Sequence, residues 1–283
     1  MNSFNFNRFC QTLRWVIAND FRSLAAWTVG YAACIFLAEM FILAINNWGS
    51  YYDVLRHSVA DFPMVFIIIA ILIGLSMIFL SYGKKAKREA LLMLPATNLE
   101  KFLSAMLYVT VVWTLAVFLS FVVGDTLRMV IRAVMYNNEW ISTVPMVLEG
   151  LMPNAFDSHS WAVEPTHFTV AKIFCAVSMI TWTHSLYTLC GTLMRKYAFV
   201  VATVVALSSC IFTLWVAFDK LHIDMFYGTF HNGEPVYEIG PLGCFLCVIL
   251  PLLTVFNYWA SFCIFKGFQL ITNKWINYDI LKR

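Results

Sequence analysis

Few residues in this chain of 283 join a reactive side chain to a position where its chemistry would matter. Glu39 is the sharpest case. It is a lone carboxylate inside an apolar run, where an ionisable group is costly and calls for a function or a partner. Counted at about 1.5 Å per residue, it lies roughly 9 Å below the outer end of its run, and Lys172 lies roughly 6 Å below the outer end of another. The two are therefore expected to pair. A carboxylate at such depth could also carry protons, and with Lys172 and His184 nearby it would make an ion-coupled secondary transporter. His184 and Asn257 stand singly in runs rich in Ser and Thr, and are read as interhelical hydrogen-bond partners.

Other chemistries lack their residues. Cys244 and Cys247 form a CxxC that opens an apolar run without a second ligand pair, which suits small-residue packing. No two histidines have the close helical spacing of a metal pair, so no metal site is expected. There is no GxxxxGK[ST], HExxH or GxSxG, and no pair of intramembrane aspartates. An enzyme has no constellation to rest on, and no cofactor of the chain's own is expected.

The elements that must position these residues follow from composition. Hydrophobic residues make up 61% and charged residues 12%, with mean hydropathy +0.74. A soluble domain sits near half apolar and a quarter charged, so the chain reads as an all-α polytopic membrane protein forming a single domain over 1–283. Six runs approach the roughly 20 residues that a bilayer crossing needs: 25–45, 62–82, 103–123, 168–193, 197–218 and 242–265. Residues 4–24 carry Phe6, Phe9, Leu13, Ile17, Phe21 and Leu24 at helical spacing and read as a separate helix on the membrane surface. Met194-Arg195-Lys196 makes the fourth and fifth spans a tight hairpin, and Pro251 should bend the sixth. The cysteines lie within or beside apolar runs, so disulfide-stapled loops are not expected, and no cleavable signal is visible.

Charge sets the orientation. Fourteen Lys and Arg fall on the side of the termini and five on the other, while eleven acids lie opposite the termini and four with them. The positive-inside rule then places both termini in the cytoplasm of a bacterial cell, in its inner membrane, with 124–167 as an extracytoplasmic segment. That segment opens on an amphipathic pattern, Leu127, Val130, Ile131, Val134 and Met135.

Between the second and third spans lies the loop 83–102. It is basic at its start (Lys84, Lys85, Lys87, Arg88), then apolar from Ala90 to Leu94, then broken at Pro95. Thr97 and Glu100 have the spacing of a capping box, so a new helix should start there. The order of parts resembles the membrane subunit of type-2 ABC exporters. Residues 88–102, Arg-Glu-Ala-Leu-Leu-Met-Leu-Pro-Ala-Thr-Asn-Leu-Glu-Lys-Phe, look like the "LLxLPxSxxEKFLxR" loop of such permeases, particularly those of Bacteroidetes. Ala105 departs from the basic residue of that pattern, and the tail from Asn257 through Phe265, Lys266, Gln269 and Lys274 also resembles the ends of those permeases.

The resemblance implies a coupling helix that docks on a separate P-loop ATPase through Glu89, Leu91, Leu92, Leu94, Pro95 and Glu100. ATP and Mg would be held by that partner. A second permease subunit, as a homodimer or heterodimer, and membrane lipid would complete the assembly, with no nucleic acid. The alternatives are the secondary transporter already described and a non-transporting scaffold or sensor that binds a partner through 124–167.

Overall fold

The computed structural model describes residues 4–45, 54–55, 59–79, 85–136, 140–151, 166–194, 196–216, 226–231 and 234–267. Lys84, the outer segment beyond Leu151 and the tail after Gly267 lie outside them. The chain is predominantly helical and divides into two compact units, Met1–Met152 and Pro153–Arg283. Among the described residues five helices are long and apolar enough to cross a membrane by length and composition.

In the first unit α1 (Phe6–Ile45) is one helix of 40 residues. The expected division at residue 24, between a surface helix and a first span, does not exist. No Pro or Gly precedes Gly30 in this stretch, so nothing breaks the backbone. At about 60 Å the helix is twice as long as a hydrocarbon core is thick. Its buried face in the first half is Thr12, Val16 and Asp20. Phe6 and Phe21 of the expected apolar stripe stay exposed.

The second expected span is shorter than the sequence suggests. Here α2 (Asp61–Ser76) stops after 16 residues, about 24 Å, and Met77–Phe79 form a turn. The Met77 N–H is shared between the carbonyls of Ile73 and Gly74, and the Ile78 N–H donates to the Leu75 carbonyl, which tightens the last turn and ends the helix. A short helix α3 (Lys85–Met93) follows, then α4 (Asn98–Leu107), a π turn (Tyr108–Val112), α5 (Trp113–Tyr136) and α6 (Val144–Leu151).

The third expected span, 103–123, is thus part of a continuous helical rod, Asn98–Met135. The amphipathic pattern beyond residue 124 belongs to that same rod. Gly124 does not break it. A Cβ there would stand 3.0 Å from the Ala32 carbonyl oxygen and 3.1 Å from Ile35 Cγ2, so the glycine permits a close helix crossing.

Contacts along α1 and the α4–α5 rod rise in number together. Asn5 and Arg8 meet Glu100, Phe9 meets Ser104, Ala32 and Ile35 meet Gly124, and Glu39 meets Arg128. The two rods therefore run parallel over nearly their whole length. Between them and α2 lies a core of Tyr31, Ile35, Ile67, Ala70, Trp113, Val117 and Phe121. Trp113 donates its indole N–H to the Ala70 carbonyl at 2.9 Å, and its ring fills the space over Gly74.

The second unit contains α7 (Thr166–Leu193), α8 (Ala198–Trp215), a two-stranded hairpin and α9 (Pro241–Lys266). Only residues 194–197 separate α7 from α8, with Arg195 of the expected turn outside the described residues and Tyr197 at φ 61°, a left-handed backbone in a residue other than glycine. Pro241 starts α9 at a position where its missing N–H costs nothing, and the helix continues through Pro251. The antiparallel strands β1 (Phe226–His231) and β2 (Glu234–Ile239) correct the all-α expectation locally. Two residues, Asn232-Gly233, separate them in sequence, a dipeptide that two-residue hairpin loops favour.

Candidate functional site

The loop between α2 and α4 forms a short helix and a break, each tied down by a named bond. The capping box is present. The Glu100 N–H donates to Thr97 Oγ1 at 3.3 Å, and Glu100 Oε2 accepts from the Thr97 N–H at 2.8 Å. The other Glu100 oxygen reaches back to the start of α1, accepting from the Asn5 N–H at 2.7 Å and from Arg8 Nη2 at 3.0 Å. Glu100 precedes the apolar run that begins at residue 103. Burial pushes its carboxyl up, but the Thr97 and Asn5 N–H groups and the Arg8 guanidinium outweigh burial and hold it at about 2.

Two lysines secure the other end. Lys101 Nζ donates to the Leu92 carbonyl at 2.9 Å, so a cation closes the C-terminal turn of α3 where the helix dipole is negative. Lys87 Nζ meets Asp20 Oδ1 at 2.9 Å and ties α3 to α1. The knob is consequently one body with the first halves of α1 and α4.

This anchoring redistributes the residues expected to face a partner. Leu91 is 1% exposed and Glu100 fully buried, so both are scaffold and correct the expected contact set. Glu89, Leu92 and Leu94 are half-buried, and Pro95 is exposed. Met93, which the sequence reading passed over, is 81% exposed and stands at the tip beside them. The missed signal was helical phase. In α3, Leu91 lies on the face of Lys87 and Arg88, which turns towards α1, whereas Met93 projects the other way.

Glu39 is part of a buried polar knot. Arg128 Nε meets Glu39 Oε2 at 3.2 Å and Asp125 Oδ1 at 3.1 Å, and Arg128 Nη2 donates to the Ile141 carbonyl at 2.9 Å. Thr143 donates its hydroxyl to Asp125 Oδ1 at 2.8 Å, and Ser142 donates to Asp125 Oδ2 at 2.6 Å. The cation set against Glu39 is Arg128, where the sequence reading expected Lys172. The rods' length accounts for this, because α5 continues beyond residue 123 and carries Arg128 alongside α1. Lys172 instead places its ammonium 4.6 Å from the centre of the Phe168 ring.

At about 1.5 Å per residue, Asp20 and Glu39 stand about 28 Å apart along α1, so about one hydrocarbon thickness separates the two charged clusters, and the apolar run continues beyond Glu39 through residues 40–45.

In the second unit His184 Nδ1 and the Tyr258 hydroxyl are 2.6 Å apart, and Asn257 Nδ2 donates to Ser185 Oγ at 3.0 Å. These are the interhelical hydrogen bonds expected of His184 and Asn257. Cys175 lies beside Cys247, and Ser185 beside Asn257, so α7 and α9 also run parallel. Among the described residues no group of three His, Cys, Asp or Glu is placed to hold a metal ion. Comparisons of the chain with protein-family models, with curated proteins and with solved structures return no match.

Proposed function

We propose that this chain is the membrane-spanning permease subunit of an ATP-driven ABC exporter, working with a separate P-loop ATPase. The observation that carries the reading is the anchored knob, α3 and its proline break, which offers Met93, Pro95 and the half-buried Leu92 and Leu94 on a rigid base. A topology signal alone accounts for the lysines of this loop, since positive charge fixes orientation. It does not account for four hydrogen-bonded ties that hold an apolar tip outward.

The coupling follows from those ties. Force applied to α3 passes through Lys87–Asp20 to α1, and through Lys101 and Glu100 to α4. Both rods then move together, because they are clamped at both ends and packed in parallel between. That is a rigid-body mode of transmission, which needs no strain in the knob itself. In this reading α2 with its following turn is a sixth crossing, both termini are cytoplasmic, and the site is the inner membrane of a bacterium. ATP and Mg belong to the partner, and a second permease subunit completes the path. An ion-coupled transporter built on Glu39 is less well supported, since its carboxylate is engaged by Arg128.

The test is purification from native membranes of the intact protein and of a variant carrying Met93→Asp and Leu94→Asp. A P-loop ATPase should co-purify with the intact chain, with ATP hydrolysis, and be lost from the variant while its size-exclusion profile is kept. Equal recovery of the ATPase with both proteins, or its absence from both, would defeat the reading.

A further inference from the structure

A cavity of about 180 Å³ opens in the first unit, between α1, the end of α2 and the π turn. Asp20, Ser23, Leu24 and Trp27 of α1 line one wall, at the spacing of a single helix face. The opposite wall is Tyr108, Val109 and Trp113. In an ordinary α-helix, residues five apart point in different directions. Here the Trp113 N–H bonds the Tyr108 carbonyl across the π turn, which brings both side chains to the same wall. Such single turns recur at binding sites.

The cavity has a polar end and an aromatic end. Asp20 is 4% exposed, and its Oδ1 takes both Lys87 Nζ at 2.9 Å and Asn19 Nδ2 at 3.2 Å. Among the described residues its Oδ2 has no hydrogen-bond partner, and neither does the hydroxyl of Tyr108, which is 9% exposed. About two helical turns away, Trp27, Tyr31 and Trp113 form an aromatic box with ring centres 5.6 to 6.3 Å apart. A separate cleft, closed to water, that shares Leu24, Trp27 and Trp113 with the cavity reaches Tyr31, whose hydroxyl is buried without a partner among the described residues. Buried polar groups are almost always satisfied, so the sealed Tyr31 hydroxyl is unusual, and Asp20 and Tyr108 line the open cavity, where an entering group can reach their oxygens; together they point to a ligand.

We propose that this cavity binds an ammonium group carried on a short apolar or aromatic body. Asp20 Oδ2 and the Tyr108 hydroxyl receive the ammonium, and the apolar surfaces of Trp27 and Trp113 take the body by ordinary apolar contact. Lys87 occupies only the other oxygen of Asp20 and so leaves this one to the ligand. The volume suits a single ring with a short chain, since a cavity of about 150 Å³ holds benzene. Two sources carry this chemistry, an aminophospholipid of the bilayer and a soluble arylalkylamine. The proposal does not depend on the permease reading.

The test uses the full chain in detergent, with 2-phenylethylamine as probe and 2-phenylethanol as its uncharged match, followed by equilibrium dialysis. Native mass spectrometry of the protein as purified, before any probe, is the lipid arm. One amine should bind per chain, at least tenfold tighter than the alcohol. Asp20→Asn should weaken it at least tenfold, and Ser23→Trp, which closes the exposed rim without touching the core, should abolish it. If instead phosphatidylethanolamine is retained by the wild type and lost from both variants, the site stands and the bilayer is the source. The proposal is overturned if neither amine nor lipid is held, or if either variant holds them as the wild type does.

Discussion

Each unit of this protein pairs two long parallel helices and adds a shorter one, yet the two pairs are fastened by opposite chemistry. In the first unit the rods are locked by charges, Glu100 with Arg8 near one end and Glu39 and Asp125 with Arg128 near the other. In the second unit the pairing of α7 with α9 uses neutral groups, Ser185 with Asn257 and His184 with Tyr258. Length explains the difference. The rods of the first unit exceed a hydrocarbon thickness, so their ends leave the apolar layer and full charges can be kept there. Helices of 28 and 26 residues, about 42 and 39 Å long, exceed it by only about a third, and the contacts named lie well inside them, where neutral groups cost less. A charged fastening is strong but intolerant of losing one member, whereas a neutral one is weak and forgiving.

That contrast is open to direct attack. Arg128→Ala leaves two carboxylates buried without their guanidinium and should cost about 3–5 kcal/mol, read as a shift in the detergent unfolding transition. Replacing Glu39, Asp125 and Arg128 together by leucines should recover most of that loss, because a packed apolar triad removes the uncompensated charge. If the single and triple variants lose equal stability, the knot is not a charge clamp.

Smaller effects sharpen the packing side of the same comparison. Gly74→Ala would put a Cβ 2.1 Å from the Trp113 indole nitrogen, an overpacking that costs about 1–3 kcal/mol. Gly30→Ala meets nothing within 4 Å on the same unit and should stabilise α1 by about 0.5–1 kcal/mol. In the second unit Asn257→Ala should cost only about 0.6 kcal/mol, and at most about 1.7, as interhelical hydrogen bonds in bilayers do. A cost equal to that of Arg128→Ala would erase the distinction between the units.

The smallest expected effect concerns pH. Glu100 is held at about 2, below its ordinary value near 4.3, so the stability it contributes is complete above that ordinary value. It is lost only as pH falls towards 2. The difference in unfolding midpoint between the wild type and Glu100→Gln should therefore stay constant from pH 5 to 8. A difference that shrinks across that range would mean that the clamp titrates and the knob is not permanently fixed.

Some of this was written plainly in the chain. Composition and apolar run length gave the membrane-crossing helical class, Thr97 and Glu100 announced the helix start at Asn98, and Met194-Arg195-Lys196 announced the tight turn. These are local signals, each complete within a few residues. The Asn-Gly dipeptide that separates β1 from β2 in the sequence was a local signal as well. The end of α2 at Ser76 was not legible, because Met77–Phe79 are as apolar as the helix they follow.

Which partner each charge would find was beyond local reading. Glu39 is 89 positions from Arg128, and Asp20 is 67 from Lys87. Nothing in either neighbourhood names the other. The sequence by itself determined that this chain builds long apolar helices and that a capped, proline-broken loop stands between two of them. Only the tertiary structure decided that two rods run parallel and overshoot the apolar layer. That register, set by the close crossing at Gly124 and the seat of Trp113 over Gly74, turned Leu91 and Glu100 inward, brought Met93 to the tip, and opened the cavity beside Asp20.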